Sequence, residues 1–452
     1  MSIPPASRPR VLLIAEAANP EWVSVPLIGW SLAMALREVA EVHLVTQVRN
    51  RAAILRAGLV EHRDFTAIDS EALARPLWAL GARLRMGEGK GWTALQAINA
   101  LSYPLFERQV WARFGADLAA GRFDIVHRVT PLSPTIVSPI AAKSARLGVP
   151  FVLGPLNGGV PWPPGFDAAR RQEREWLSYI RAVHRLWPGR GPMLSHCAAI
   201  LAGSAHTAGE IPARHRGRVI YLPENAVAAT GASGSARSAP APLRACFVGR
   251  MVPYKGGDML IEAAAPLIRD GRLLLDMVGD GPALNALKAL ARAEGVSDGV
   301  TFHGWLAHER VQQVLAENAV LAFPSIREFG GGVVLEAMAR GLAPLVVDYA
   351  GPGELVTPAS GYKVPLGSRA QIVAGMRAEL ARLARDPQGV QATGARARDR
   401  VAALFTWPRK AAQLAEVYDW VLGRRADKPC FFPDVLPVEA GVEPERGYHA
   451  AQ

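Results

Sequence analysis

The chain has 452 residues, half of them hydrophobic and 20% charged, with a formal net charge of +11. That length is too great for one ordinary hydrophobic core, so we expect two α/β domains of about 200 residues each. The positive charge suits a sugar nucleotide, an anionic lipid surface or a nucleic acid, but the sequence has no zinc-finger, helix-turn-helix or RNA-binding signature, so nucleic acid is not an expected partner.

The cysteines and the first apolar run indicate the cellular compartment. Cys197, Cys246 and Cys430 lie far apart and form no CxxC pair, which argues against a disulfide framework or a zinc site and for a reducing compartment. The run Val11 to Ala15 is too short for a signal peptide, and no other segment has the roughly 18 uninterrupted apolar residues of a membrane span. We therefore expect a cytoplasmic protein whose membrane contact is at most peripheral, at the inner face.

Short apolar runs alternate with helical stretches along the chain, which predicts parallel, doubly wound sheets. In such sheets ligands bind beyond the carboxyl ends of the strands, so the residues that follow each run are candidates for a binding site. The runs that indicate strands are 11–15, 42–46, 124–129, 151–154, 200–202, 245–249, 273–279, 300–304, 319–323 and 345–348.

A segment poor in large apolar residues divides the chain. Residues 227–242 are rich in alanine, serine, glycine and proline, as is typical of an interdomain linker. We therefore predict an N-terminal domain over 1–226, a C-terminal domain over 243–405 and a closing helix over 406–424. Residues 425–452 contain four prolines and little periodicity, and we expect this tail to be mobile.

A glycine cluster separates a predicted strand from a predicted helix in the C-terminal half. Residues 319–323 indicate a buried strand, and residues 333–340 indicate a helix that ends at Gly341. Glycines 330 to 332 therefore lie at the helix N-terminus. Unpaired backbone N–H groups and the positive end of the helix dipole can bind an anion there, and residues without Cβ allow its close approach.

Two carboxylates flank this glycine cluster. Seven residues separate Glu328 from Glu336, so one precedes the glycines and the other lies in the first turns of the helix. A glutamate pair at this spacing often belongs to a solvated helix face, but the strand and glycines around this pair favour a site for a phosphorylated sugar. Together with residues 344–348 downstream, the segment resembles the signature of retaining glycosyltransferases of family 4.

The resemblance implies a GT-B architecture, in which two Rossmann-like domains face a central cleft, over the chain from Arg10 to Leu422. It also implies transfer of a sugar from a nucleoside-diphosphate sugar to a glycan or lipid-linked acceptor, with retention of anomeric configuration and without a covalent intermediate. No metal and no other cofactor is expected. The usual work of the family is the assembly of surface polysaccharides or glycolipids.

The positions that match the family's donor site in this segment are Glu328, Phe329, Gly330, Gly331, Val333 and Glu336. By the resemblance, Glu328 holds sugar hydroxyls and has a catalytic role, while Glu336 holds the nucleotide ribose. Gly330 and Gly331 contact the sugar or a phosphate through backbone amides. One position departs from the pattern, because Phe329 stands where the family usually has glycine, and this affects the pose of the sugar.

Two cations and two glycine turns complete the expected donor site. Arg250 follows a predicted strand and Lys255 opens the next helix, so both can neutralise a diphosphate leaving group; two surface cations near a domain boundary are the alternative. The resemblance places Gly279 and Gly304 in the nucleoside pocket. A purely structural turn explains Gly279 equally well.

The N-terminal domain should supply the acceptor side. His127 lies at a strand end, where it could contact the donor sugar and act in catalysis, although a lone histidine there is more often packed or at the surface. In the family the second histidine of a His-x-His pair is the better-known contact, and Val129 holds that position here. Asn157 and Gly158 follow the next strand and are expected to line the acceptor side of the cleft. Of the family's early glycine pair, this chain has Gly29 alone.

Residues 167–187 place aromatic residues at near-helical spacing among arginines. The aromatic positions include Trp176, Tyr179 and Trp187. This composition suits docking on an anionic membrane surface. Packing of the rings on the domain, with the arginines in solvent, explains it equally well.

Three other functions remain open from the sequence. A glycosidase also uses two carboxylates, but it needs them on either side of the scissile bond, which fits a pair beside an anion site poorly. A non-hydrolysing sugar-nucleotide epimerase shares the fold and would turn over the donor without an acceptor. A degenerate, non-catalytic binding protein is suggested by Phe329 and the altered N-terminal glycine loop.

Overall fold

The computed structural model describes residues 8–70, 92–158, 160–172, 189–229 and 242–435. Over these residues the chain forms two parallel β-sheets, one of seven and one of six strands, with helices on their faces. The expected doubly wound α/β architecture is confirmed. No helix in the described part of the chain is both long and apolar enough to span a membrane.

The first sheet comes from the N-terminal part of the chain. Its strands are β1 (Arg10–Ala15), β2 (Glu41–Gln47), β3 (Phe65–Ile68), β4 (Ile125–Thr130), β5 (Phe151–Leu156), β6 (Cys197–Ala202) and β7 (Val219–Tyr221). Its helices are α1 (Val25–Leu36), α2 (Arg51–Arg56), α3 (Trp92–Ala119), α4 (Ile140–Arg146), α5 (Asp167–Gln172), α6 (Arg190–His196) and α7 (Ala205–Gly209). The order β3-β2-β1-β4-β5-β6-β7 reverses between β1 and β4, and this reversal opens a crevice at the carboxyl edge of the sheet.

The second sheet, from the C-terminal part of the chain, also has a reversal of strand order. Its strands are β8 (Leu243–Val248), β9 (Leu273–Val278), β10 (Val300–Gly304), β11 (Val320–Phe323), β12 (Ala343–Asp348) and β13 (Tyr362–Pro365). Its helices are α8 (Gly257–Arg269), α9 (Leu284–Ala293), α10 (His308–Glu317), α11 (Gly332–Ala339), α12 (Ala350–Leu355), α13 (Arg369–Leu383) and α14 (Pro387–Leu404), and α15 (Trp407–Val421) follows. The order β10-β9-β8-β11-β12-β13 reverses between β8 and β11, so the loops after these two strands meet at one crevice.

Helices cover both faces of the central strands, which explains their continuous apolar runs. Every residue of β4, β5 and β11 is buried, as is typical of strands in the middle of a parallel sheet. The polar residues of β4 are hydrogen-bonded within the protein, mainly to backbone carbonyls. The Arg128 guanidinium, for example, donates to the Ile136 carbonyl at 2.8 Å.

The chain crosses between the two sheets twice, and the crossings lie side by side. The Val227 amide donates to the Phe405 carbonyl at 2.9 Å, and the Trp407 amide donates to the Val227 carbonyl at 3.0 Å. After the second crossing, α15 packs against α1. The buried Lys410 ammonium on α15 donates to the Pro223 carbonyl at 2.5 Å. The closing helix therefore ties the C-terminal residues back to the first sheet.

The segment that we expected to be mobile begins with ordered packing. Phe432 is 4% exposed, and its ring lies 5.3 Å from the ring centroids of both Tyr221 and Phe405. Residues 425–435 are thus part of the fold, because a buried aromatic holds them against the place where the chain crosses between the sheets. Residues 436–452, and residues 230–241 of the predicted linker, lie outside the described part of the chain.

We expect Phe432→Ala to destabilise the protein by about 3–5 kcal/mol, because the substitution leaves a cavity between two aromatic rings. The measurement is the midpoint of chemical denaturation. Phe431→Ala is the matched control. The Phe431 ring is only partly buried, so its removal should lower the free energy of unfolding by less. Equal midpoints for wild type and Phe432→Ala would contradict a packed segment.

Candidate active site

The glycine turn between β11 and α11 has the geometry that the sequence predicted. Gly331 is the residue before the first turn of α11 and has φ +60°, a backbone conformation that favours glycine. Helix α11 begins at Gly332 and ends at Ala339, so glycines 330 to 332 lie at its N-terminus. Val333 is half-buried in the first turn and packs against the hydrophobic core. The first amides of a helix have no intrahelical acceptor, and the turn therefore presents backbone donors.

Lys255 and Glu328 come together at this turn as an ion pair. Lys255 belongs to the loop after β8 and Glu328 to the loop after β11, and these two strands are neighbours at the reversal of strand order. The side chains are 15% and 20% exposed. Burial lowers the pKa of Lys255 to about 7, and the carboxylate beside it opposes that loss of charge.

Glu336 lies behind the turn, against α10. The Gln312 amide nitrogen is 3.3 Å from one Glu336 carboxylate oxygen. Burial raises the pKa of Glu336, while the hydrogen bond from Gln312 and the charge of His308 oppose the shift. Neither Gln312 nor His308 was identified from the sequence, because both lie on α10, before β11, and reach Glu336 only through tertiary packing.

The other predicted donor-side residues lie at the same edge of the second sheet. Arg250 follows β8 and is exposed. Gly279 has φ +130°, and a Cβ there would overlap the Gly249 carbonyl, so glycine allows the turns after β8 and β9 to pack together. The Gly279 amide donates to the Gly304 carbonyl at 2.8 Å. Three adjacent turns therefore line this edge, and their close packing is sufficient to explain why residue 279 is a glycine.

Phe329 forms a stack that crosses between the two parts of the chain. The Arg327 guanidinium carbon lies 5.3 Å from the Phe329 ring centroid and 5.0 Å from that of Trp162. Trp162 in turn meets Tyr254 edge-on, with centroids 5.9 Å apart. Trp162 comes from the loop after β5, so an N-terminal aromatic is inserted beside Lys255 and Glu328. Neither Trp162 nor Arg327 was identified from the sequence.

Asn157 and Gly158 lie where the first sheet approaches the glycine turn. Asn157 is 6% exposed, and its amide nitrogen donates to both carboxylate oxygens of Glu224, at 2.9 and 2.8 Å. Its amide oxygen accepts from the Gly158 backbone at 2.7 Å. Gly158 has φ +137°. The side chain of Asn157 is therefore engaged by a glutamate, which the sequence did not indicate.

His127 has a packed environment, which is the alternative that the sequence offered to a catalytic role. His127 is fully buried, with Nε2 2.7 Å from the Gly154 carbonyl and Nδ1 2.7 Å from the Tyr418 hydroxyl. Since the carbonyl can only accept, Nε2 carries the proton and Nδ1 accepts from Tyr418. Burial lowers the pKa of His127 to about 4. Both ring nitrogens are thus engaged between β4 and α15, and a catalytic role for His127 stays a prediction.

The aromatic and arginine-rich segment falls largely outside the described residues. Asp167–Gln172 forms α5, whereas Trp176, Tyr179 and Trp187 belong to the part of the chain without a description. Docking of this segment on an anionic membrane therefore stays a prediction.

Comparison with known proteins finds a family match for the part of the chain that contains most of the second sheet. Residues 235–388 match the family Glycosyl transferases group 1. The chain is 34% identical over 211 residues to the D-inositol 3-phosphate glycosyltransferase of Nocardia farcinica, covering 45% of each chain. It is 31% identical over 174 residues to the alpha-D-kanosaminyltransferase of Streptomyces kanamyceticus, covering 38% of this chain and 44% of the other. The chain thus spans less than half the length of these curated relatives.

A solved structure shows the same arrangement over nearly the whole chain. The Anabaena protein HepE, in complex with UDP and glucose, superimposes with a TM-score of 0.57 at 15% identity, covering 91% of this chain and 99% of that one. This likeness shows the fold alone, and the fold is GT-B. The chain therefore has the GT-B fold, and its residues 235–388 are similar to the family Glycosyl transferases group 1.

Proposed function

We propose that the protein is a retaining glycosyltransferase that moves a sugar from a nucleoside-diphosphate sugar to a glycan or lipid-linked acceptor. The observation that carries the proposal is the Lys255–Glu328 pair at the N-terminus of α11. A cation and a helix N-terminus together favour a diphosphate, and a carboxylate beside them can accept hydrogen bonds from sugar hydroxyls. The glycosyltransferase names of the partial relatives support the same class of reaction.

In the proposed donor complex, the diphosphate competes with Glu328 for the Lys255 ammonium. Lys255 and Arg250 follow the same strand, so both can neutralise the phosphates as the sugar–phosphate bond breaks. Once Lys255 turns to the phosphates, the carboxylate of Glu328 becomes available to the sugar. In the donor complex the Lys255–Glu328 ion pair is then replaced by two ligand contacts, one from Lys255 to the diphosphate and one from Glu328 to the sugar.

Glu336 is proposed to bind the ribose. Burial raises its pKa, and its carboxylate oxygens can accept hydrogen bonds from the two vicinal hydroxyls of a ribose. Its neighbour Gln312 fixes the orientation of the carboxylate. This contact is independent of the sugar, so it should contribute to nucleotide binding whichever sugar the donor carries.

Retention follows from the donor phosphate acting as the base. Both ring nitrogens of His127 are already engaged by Gly154 and Tyr418, and Glu328 is paired with a cation that is proposed to bind the phosphate as well. The leaving phosphate oxygen can take the proton of the acceptor hydroxyl while that hydroxyl attacks the same face of the sugar. We further propose that cationic side chains and the α11 N-terminus replace a metal at the diphosphate, so that the reaction needs no cofactor.

Nucleotide binding tests the donor site. We expect one nucleoside diphosphate among UDP, GDP and ADP to raise the melting temperature of the wild type, and Glu336→Gln to bind it at least tenfold more weakly, about 1.4 kcal/mol, because the ribose contact is weakened. Glu317→Gln, an exposed substitution on α10, should bind like the wild type. A wild type that no nucleoside diphosphate stabilises would contradict the donor site and favour a non-catalytic binding protein.

A double-mutant cycle on Lys255→Met and Glu328→Gln tests the exchange of partners. Without nucleotide we expect a coupling of about 1.5–3 kcal/mol in unfolding free energy, because each single variant leaves a largely buried charge unpaired. With saturating nucleoside diphosphate the coupling should fall. The exposed pair Arg382 and Glu379 is the matched control, with an expected coupling below about 1 kcal/mol. A coupling that nucleotide leaves unchanged would mean that the diphosphate does not compete for Lys255.

Product analysis tests retention and metal independence in one reaction. We expect the wild type to keep its full rate in a chelator and to form a glycoside with the anomeric configuration of the donor, as read from the coupling constant of the anomeric proton. An inverted product would exclude the proposed use of the leaving phosphate, and loss of rate in chelator would show that a metal assists the diphosphate. Conversion of the donor to an epimer without acceptor would identify an epimerase instead.

A further inference from the structure

Glu224 is a buried carboxylate between the two sheets, outside the proposed donor contacts. It lies between β7 and the first crossing of the chain and is 3% exposed. Asn157, in the loop after β5, donates to both of its oxygens at 2.9 and 2.8 Å. The neighbouring Asn225 amide adds a longer contact of 3.3 Å. An amide that spans both oxygens of one carboxylate fixes its plane as well as its distance.

Two glycines, one from each sheet, make room for this carboxylate. A Cβ at Gly203, directly after β6, would come within 2.5 Å of Glu224 Oε2, and a Cβ at Gly330 in the turn before α11 would overlap Oε1. Gly330 has no positive φ in the structure, so its backbone conformation does not require glycine. Glycine is needed there because a side chain would collide with the Glu224 carboxylate. The carboxylate of Glu224 is therefore wedged between the acceptor-side sheet and the donor-side turn.

The charges around Glu224 come from three elements. Lys410 on α15 attracts it, Glu354 on α12 repels it, and the Tyr221 hydroxyl at the end of β7 lies within its field. Burial raises the pKa of Glu224, and the hydrogen bonds from Asn157 oppose the shift. The carboxylate is thus held by hydrogen bonds from Asn157 and not by solvent, and loss of these hydrogen bonds should alter the turn at Gly330.

We propose that Glu224 is a positioning residue that sets the acceptor-side loop of Asn157 and Gly158 against the donor-side turn at Gly330. The inference rests on the proposed function, because it concerns the alignment of donor and acceptor. Transfer requires reacting atoms about 3–3.5 Å apart, and a displacement near 1 Å can cost about a hundredfold in rate. Glu224 touches both loops, so its loss should disturb alignment while the donor contacts of the second sheet remain.

The decisive variants are Glu224→Gln and the exchange Glu224→Gln with Asn157→Asp. The single variant turns one carboxylate oxygen into an NH₂ group that faces the Asn157 amide, so one hydrogen bond becomes a repulsion. In the exchange variant the new glutamine donates to the new aspartate, which still accepts from the Gly158 backbone. We expect kcat to fall at least tenfold in the single variant with the dissociation constant of the nucleoside diphosphate changed less than threefold, and the exchange to recover part of kcat.

Glu354→Gln is the matched control. Glu354 is a half-buried carboxylate on α12 that accepts from the Ala205 amide at 3.0 Å and from the Tyr221 hydroxyl at 2.9 Å, both in the N-terminal part of the chain. We expect this variant to lose stability and keep kcat, because it does not touch the turn at Gly330. If kcat falls in both Glu224→Gln and Glu354→Gln, in proportion to the loss of folded protein, the positioning role is overturned. Glu224 is then only a stabilising contact.

A distance measurement tests the positioning without relying on turnover. Spin labels at Ala52→Cys on α2 and Ala289→Cys on α9, both exposed, with Cys430→Ser, report the separation of the sheets. We expect Glu224→Gln to broaden the distance distribution and the exchange variant to narrow it again. An unchanged distribution in Glu224→Gln overturns the inference. If Glu224→Gln broadens the distribution but the wild type binds no nucleotide, the proposed function is refuted and the mechanical role of Glu224 is kept.

Discussion

The charge balance at the start of α11 is the constraint on which the rest of the site depends. Three carboxylates surround this helix N-terminus, with Glu224 behind the glycine turn, Glu328 before it and Glu336 in the second turn of the helix. The positive end of the helix dipole and the Lys255 ammonium offset part of that charge. An incoming anion must compete for the same cation and amides. In the proposed function, binding of a diphosphate and release of a carboxylate toward a sugar therefore occur together, because both depend on Lys255.

The same turn also joins the two sheets, which restricts how the fold can be built. Groups that must meet within a few ångströms lie on loops of different sheets, and loops alone hold such distances poorly. The structure compensates with a buried carboxylate, Glu224, and with two adjacent crossings that α15 locks through Lys410. Glu224 and Lys410 are both buried charges, and an apolar contact in their place would cost less desolvation free energy. This loss of stability is consistent with a junction that fixes the orientation of the two sheets and does not merely hold them together.

The sheets and the glycine turn could be predicted from the sequence because their causes are local. Strands covered on both faces need continuous apolar runs, and Gly331 at φ +60° needs glycine. The contacts that the sequence left open or did not reveal join residues far apart in the chain. His127 pairs with Tyr418, 291 residues away, and nothing near His127 in sequence separates a packed ring from a catalytic one. Trp162 and the Asn157–Glu224 contact were missed for the same reason, since each depends on how the two sheets meet.

Phe329 shows why a departure from a family pattern has to be judged with its neighbours. A ring in place of glycine would by itself crowd the sugar beside Glu328. In the structure the Arg327 guanidinium lies close to both the Phe329 ring and the ring of Trp162 from the N-terminal part of the chain, so rings and cation stabilise each other. Phe329 thus removes no carboxylate and no cation from the proposed donor site. What it changes is the contact between the two sheets, and in the proposed function a surface built by both sheets is where a difference in sugar or acceptor would be recognised.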